Sequence, residues 1–175
     1  MLPLPVGVRG MPPDILKTVV GYDPDVEKNR AEAREFMQKL VYGPEKRLNI
    51  KVSTRNIAAY HDPDYQIGLN LTGSGVDDPD AYFYEHYACG SERNYTNYCN
   101  PELEKMYEQQ SMEPDQDKRK KLVREIDRRL TEDAARPILY RYDLGTCRYP
   151  RVKNVTTMVN SIFNGWRFED AWLDQ

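Results

Sequence analysis

The chain has 175 residues and a mass of 20.5 kDa, enough for one domain or one large lobe with a single core and too little for two full domains. Its 25 basic and 28 acidic side chains nearly cancel, to a net charge of −3, so a nucleic-acid ligand or an anionic membrane held by phosphate neutralisation is disfavoured. No apolar run approaches the roughly 18 residues of a membrane span, and Met1 to Pro5 have neither the basic start nor the apolar stretch of an export signal.

Residues 1–22 carry Pro3, Pro5, Pro12 and Pro13 among glycines and are expected to form an irregular lead-in. Asp23-Pro24 then supplies a helix cap with proline at the first helical position, and Val26, Ala33, Phe36, Met37, Leu40 and Val41 follow at near-helical spacing until Gly43-Pro44. Leu48, Ile50 and Val52 alternate with polar residues, as do Tyr65, Ile67, Leu69 and Leu71, each in the pattern of a half-buried strand. Asp78-Pro79 opens a short aromatic helix through Tyr82, Phe83 and Tyr87, and Asn100-Pro101 repeats the device before Leu103, Met106 and Tyr107.

Between Pro114 and Asp133, Leu122, Val123, Ile126 and Leu130 mark a longer amphipathic helix. The run Lys118-Arg119-Lys120-Lys121 within it reads as a solvated face. Ile138, Tyr140 and Tyr142 alternate as a third strand. The tail, with Val155, Met158, Ile162, Phe163, Trp166, Phe168 and Trp172, is apolar enough to be expected to dock on something.

The acid, base and nucleophile sets of enzymes are thinly stocked, with only His61 and His86 as histidines. Tyrosine, by contrast, occurs 13 times; such amphipathic rings suit recognition surfaces, although ordinary half-buried packing accounts for them equally simply. A hydrolase using Asp77 or Asp80 with His86 would need a carboxyl of raised pKa in a closed pocket, and nothing in the sequence supports one.

Cys89 and Cys99 flank a polar, turn-rich stretch that can fold back on itself. A disulfide there would be worth about 3 kcal/mol in an oxidising compartment. A metal site adding His86 fits no common zinc spacing, and two unrelated free thiols are the plainer alternative. Cys147 is left over, as a buried thiol or one with a partner outside this chain.

Thr72-Gly73-Ser74-Gly75-Val76-Asp77-Asp78 lies between a strand and a helix, where backbone N–H groups can meet an anion or a polar ligand. The third glycine of a dinucleotide fingerprint is replaced by Asp78, which excludes that cofactor class; a purely structural turn is the alternative. Asp77, Asp78 and Asp80 fit helix capping better than calcium binding or paired-carboxylate catalysis. Arg55 follows the strand ending at Ser53. A guanidinium there could clamp a carboxylate with two parallel hydrogen bonds, or simply be a solvated surface arginine.

In order and spacing over residues 20–155, these segments resemble the C-terminal portion of the family 5 solute-binding proteins of ABC importers, the dipeptide, oligopeptide and nickel group. The resemblance is carried by Tyr22-Asp23-Pro24-Asp25, Asp77-Asp78-Pro79-Asp80, Asn94-Tyr95, Tyr98-Cys99-Asn100-Pro101-Glu102-Leu103, Lys118-Arg119, Glu132-Asp133-Ala134-Ala135-Arg136-Pro137-Ile138 and Val152-Lys153-Asn154. The closing stretch from Met158 to Asp174 looks like the end of one subgroup.

The resemblance implies a mixed α/β (α+β) fold, the C-terminal lobe of a class II periplasmic-binding-protein-like fold with the first lobe absent. Residues 23–150 would form the second-lobe portion, after the irregular segment 1–22, and 151–175 the return segment and tail. Where the family places a helix and a strand, this chain has only His61-Asp62-Pro63-Asp64, so a missing segment is expected near residues 63–64.

The function implied is capture of a peptide-like or other small organic solute between two lobes and its delivery to an ABC permease of the inner membrane. It is expected to be a periplasmic monomer, with no catalysis, cofactor or metal and no nucleic acid; a non-transport interaction module of the same fold is the alternative. Ligand contacts fall on Arg55 and Asn56, with Arg55 where dipeptide-binding members hold the terminal carboxylate, and on Thr72, Gly73, Ser74, Gly75 and Asp77. Gly75 stands where those members carry the aspartate that holds the ligand's amine, so that anchor is missing. The family's disulfide loop maps onto Cys89 and Cys99. Holding one wall of the cleft, the chain by itself is expected to bind ligand weakly or not at all.

Overall fold

The computed structural model describes residues 11–54, 65–139, 146–158 and 168–174. The elements run α1 (Pro13–Leu16), α2 (Val26–Lys39), β1 (Val52–Thr54), β2 (Ile67–Leu69), α3 (Pro79–His86), α4 (Pro101–Met112), α5 (Gln116–Glu132), β3 (Val152–Lys153) and β4 (Trp172–Leu173).

The core is helical. Phe83 and Tyr87 from the α3 segment meet Leu103 and Tyr107 of α4 and Val123, Ile126 and Leu130 of α5, with Ala135 closing the cluster. The rings of Phe83 and Tyr107 stack with centroids 5.2 Å apart and planes 12° from parallel. Leu103 and Tyr107 in α4, and Val123, Ile126 and Leu130 in α5, fall on the stripe that the 3.6-residue period predicts for each helix.

The starts of α3, α4 and α5 are fixed by side-chain caps. Asp78 accepts the N–H of Asp80 at 3.1 Å, and Asn100 accepts those of Glu102 and Leu103 at 3.0 and 3.4 Å. Asp115 accepts the N–H groups of Asp117 and Lys118 at 2.9 and 3.0 Å. Caps of this kind contribute about 1 kcal/mol each, and Pro79 and Pro101 occupy first-turn positions where no N–H is needed.

Helix α5 ends in a Schellman turn. The N–H of Ala135 reaches the Leu130 carbonyl at 3.1 Å and that of Ala134 reaches Thr131 at 3.1 Å, with Ala134 at φ 48°. Helix α2 ends the same way, Tyr42 bonding Met37 and Val41 bonding Gln38, each at 2.9 Å. There a β-branched valine holds the left-handed position at φ 64°.

Several expectations are corrected. The cap of α2 is Asp25, whose carboxylate accepts from Glu27 and Lys28; Asp23 instead accepts the N–H of Asp25 and pairs with Lys28. The lead-in is not wholly irregular, since Pro13 starts the single turn of α1.

The apolar stripe of α2 is not buried: Phe36 is 52% and Leu40 62% exposed. The strands are shorter than their patterns. β1 and β2 pair in parallel, Val52 opposite Ile67 and Thr54 opposite Leu69, and Val52, Ile67 and Leu69 are exposed. In the tail, β3 and β4 pair antiparallel, Val152 opposite Leu173, and Phe168, Trp172 and Leu173 remain more than half exposed. Ile138 lies in no strand. Tyr140, Tyr142, Ile162, Phe163, Trp166, the first ten residues and the junction at Pro63-Asp64 lie outside the described residues.

Candidate functional site

Between β2 and α3, Thr72 to Asp77 form a loop whose middle is fixed by its own side chain. Ser74 is buried, and its Oγ accepts the N–H of Val76 at 3.2 Å. Gly75 and Val76 face outward; a Cβ built on Gly75 would meet nothing within 4 Å, so close packing does not dictate that glycine.

The end of the loop is held more firmly. Arg119, from α5, lays its guanidinium on Asp78 with Nη2 2.8 Å from Oδ1 and Nη1 3.3 Å from Oδ2, a two-point fork. The same Nη2 lies 3.6 Å from Asp80 Oδ2, while the Arg119 Nε donates to Gln110 Oε1 at 3.2 Å. Gln110 is fully buried; its Nε2 donates to Asp80 Oδ1 and, at 3.0 Å, to the Tyr107 carbonyl. Ser111 Oγ donates to Asp80 Oδ2 at 2.9 Å.

One arginine and one glutamine thus tie the first turn of α3 to both α4 and α5. Asp78 and Asp80 are accordingly structural to a large degree, as capping predicts. The run 118–121 is a solvated face at Lys118 and Lys121, as expected, but not at Arg119, whose side chain is only 14% exposed. Because Asp78 already takes the Asp80 N–H and two carboxylates stand at this helix start, the α3 N-terminus itself is poorly suited to an anion.

Cys89 and Cys99 are joined in a disulfide. The loop they close is organised around buried Asn94. Its Nδ2 donates to the carbonyls of Ala88 at 3.0 Å and Tyr98 at 2.6 Å, and its Oδ1 accepts from Thr96 at 3.0 Å. Gly90, at φ 74°, supplies the left-handed turn after Cys89.

The loop is fastened outward by Cys89 N–H on Glu104 Oε1 (3.1 Å), Ser91 Oγ on the Glu85 carbonyl (2.6 Å) and Arg93 on Glu85 (2.6 Å). Tyr65, just ahead of β2, donates its hydroxyl to the Tyr95 carbonyl at 2.9 Å. Burial and a 2.5 Å hydrogen bond from its hydroxyl to Asp133 push Tyr98 up to about 12. Cys147 is a free, exposed thiol, not the buried one allowed for above.

His86, the last residue of α3, is buried at 5% exposure with Nδ1 unpaired. Burial first, then the positive charge of Arg136, lowers its pKa from 6.5 to about 4; Glu85 pulls the other way and Arg93 adds to the depression. At neutral pH it is an uncharged core group, edge-on to Tyr82 with ring centroids 6.0 Å apart. Among the described residues, no group of three or more His, Cys, Asp or Glu is placed to hold a metal ion, and no helix is long and apolar enough to cross a membrane.

Of the residues singled out in the sequence, the structure brings Thr72, Gly73, Ser74, Gly75 and Asp77 into one loop and joins Cys89 to Cys99; Arg55 and Asn56 lie outside the described residues. The sequence reading missed Arg119 and Gln110.

No protein-family model and no curated protein matches the chain. Its structure is similar to that of the periplasmic murein tripeptide-binding protein MppA in its unliganded open form, with a TM-score of 0.58 and 14% identity. The match covers 68% of this chain and 31% of that protein. The likeness establishes the fold: mixed α/β, of the periplasmic-binding-protein type, corresponding to part of such a protein.

Proposed function

We propose that this chain belongs to an extracytoplasmic solute-binding protein that captures a peptide-like solute and delivers it to an ABC permease. The observation that carries the reading is the fold shared with a periplasmic tripeptide-binding protein. It is supported by the Cys89–Cys99 disulfide, which suits an oxidising compartment.

In this reading the solute meets the backbone of Thr72, Gly73, Ser74, Gly75 and Asp77, while Arg55 and Asn56 take its carboxylate end. Binding draws two lobes together because the closed form alone offers both sets of contacts. The protein would act by differential affinity for two conformations, with no bond made or broken.

Amide shifts of the isotopically labelled chain during titration with a synthetic murein tripeptide test the reading. Millimolar, saturable shifts centred on residues 72–77 and weakened by Arg55→Ala are expected. Because the chain by itself is expected to bind weakly or not at all, the refuting result is read in the whole protein expressed from its own gene: no shift in that loop there, from tripeptide or from peptide mixtures, would favour an interaction module of the same fold instead.

A further inference from the structure

Asp78 is covalently next to the loop proposed to meet solute, and it is held from 41 residues away. Its two carboxylate oxygens both receive Arg119, and Arg119 is in turn held by Gln110, which also grips Asp80 and the Tyr107 carbonyl. We infer that Arg119 is a positioning residue for the 72–77 loop: through Asp78 it fixes where the loop backbone stands relative to the helical core. This deepens the solute-binding reading and rests on it.

The geometry separates this role from general stabilisation. The apolar cluster of α3, α4 and α5 does not include Arg119, and the α5 cap is supplied by Asp115. Loop end and core therefore meet at the fork. A lysine at 119 would keep the charge but lose the second hydrogen bond and the Nε contact to Gln110, because an ammonium is a point charge without a planar fork. The loop's inner fastening, Ser74 Oγ to Val76, lies within the loop and constrains its curvature.

The test compares Arg119→Lys, Arg119→Met and, as a control, Ser111→Ala, which removes one bond to Asp80 and leaves the fork. Backbone order parameters of Gly73 to Asp77 are read against those of Leu103, Tyr107, Ile126 and Leu130, and each variant is titrated with the murein tripeptide. Both Arg119 variants are expected to drop the loop from the rigid range, about 0.85, to below about 0.6, to leave the helical residues unchanged, and to weaken the tripeptide-induced shifts about tenfold; Ser111→Ala should do neither.

If Arg119→Met fails to fold, Arg119→Lys still decides the matter. A loop as ordered in Arg119→Lys as in the wild type overturns the inference, as does a uniform loss of order across loop and helices. A wild-type protein expressed from its own gene that shows no tripeptide shift sinks the solute reading instead, while the order parameters still decide whether Arg119 sets the loop.

Discussion

Acidification should destabilise this fold through His86 at a pH where most carboxylates are still ionised. The imidazole is 5% exposed at the end of α3, with Nδ1 unpaired and the charge of Arg136 close by. Its pKa falls from 6.5 in the unfolded chain to about 4 in the folded one. The folded state therefore resists the proton and the unfolded state takes it first. The neutral side chain carries no pH-dependent cost above pH 6.5, and stability is lost progressively as pH falls from there towards 4.

At 1.36 kcal/mol per tenfold change in proton affinity, the loss is about 2 kcal/mol by pH 5 and about 3 kcal/mol by pH 4. Urea unfolding of the disulfide-intact chain at closely spaced pH values measures it, with His86→Phe as reference; phenylalanine keeps the ring against Tyr82 and cannot titrate. The difference between the two proteins should change by about 3 kcal/mol between pH 7 and 4, and the His86 ring signal should titrate near 4. A difference flat to within about 0.5 kcal/mol, or a His86 midpoint near 6.5, would refute the reasoning.

Other outcomes follow from single residues. Val41→Gly should stabilise the chain by about 1 kcal/mol in thermal or urea unfolding, since an exposed valine holds the left-handed position that ends α2; unchanged or lowered stability would count against the turn. Tyr107→Phe should be neutral or stabilising by up to about 1 kcal/mol, because the buried hydroxyl has no partner; a loss above 1 kcal/mol would reveal an unseen one. Phe83→Ala should cost about 3–5 kcal/mol by opening a cavity against Tyr107, read as a lowered urea midpoint. Replacing Cys89 and Cys99 together by serine should cost about 3 kcal/mol, with Tm falling by a similar amount when the wild type is reduced.

The helical half of the fold was legible because its signals are local. A side-chain oxygen before a proline names a helix start, as at Asp78 and Asn100, and the stripe Val123, Ile126, Leu130 names the buried face. Positions 119 and 110 lie on those same stripes, four residues before Val123 and three after Tyr107. A polar residue on an apolar stripe was thus the available sign that Arg119 and Gln110 point inward. Their partners could not be read, because Asp78 and Asp80 approach through tertiary packing over separations of 41 and 30 residues.

The strand patterns misled for a different reason. Alternation at Leu48 to Val52 and Tyr65 to Leu71 records which side chains a sheet could bury, and burial requires something laid across that face. Val52, Ile67 and Leu69 are exposed here. The α2 stripe fails likewise, with Val26, Phe36 and Leu40 all more than half exposed.

The central claim, that the protein carries a small solute, is tested most directly by native mass spectrometry of the protein expressed from its own gene and purified without refolding. The account predicts a bound carboxylate-bearing molecule that leaves on denaturation and is lost on Arg55→Ala. A protein that emerges empty, and stays empty when offered tripeptide, peptide and sugar mixtures, would contradict it.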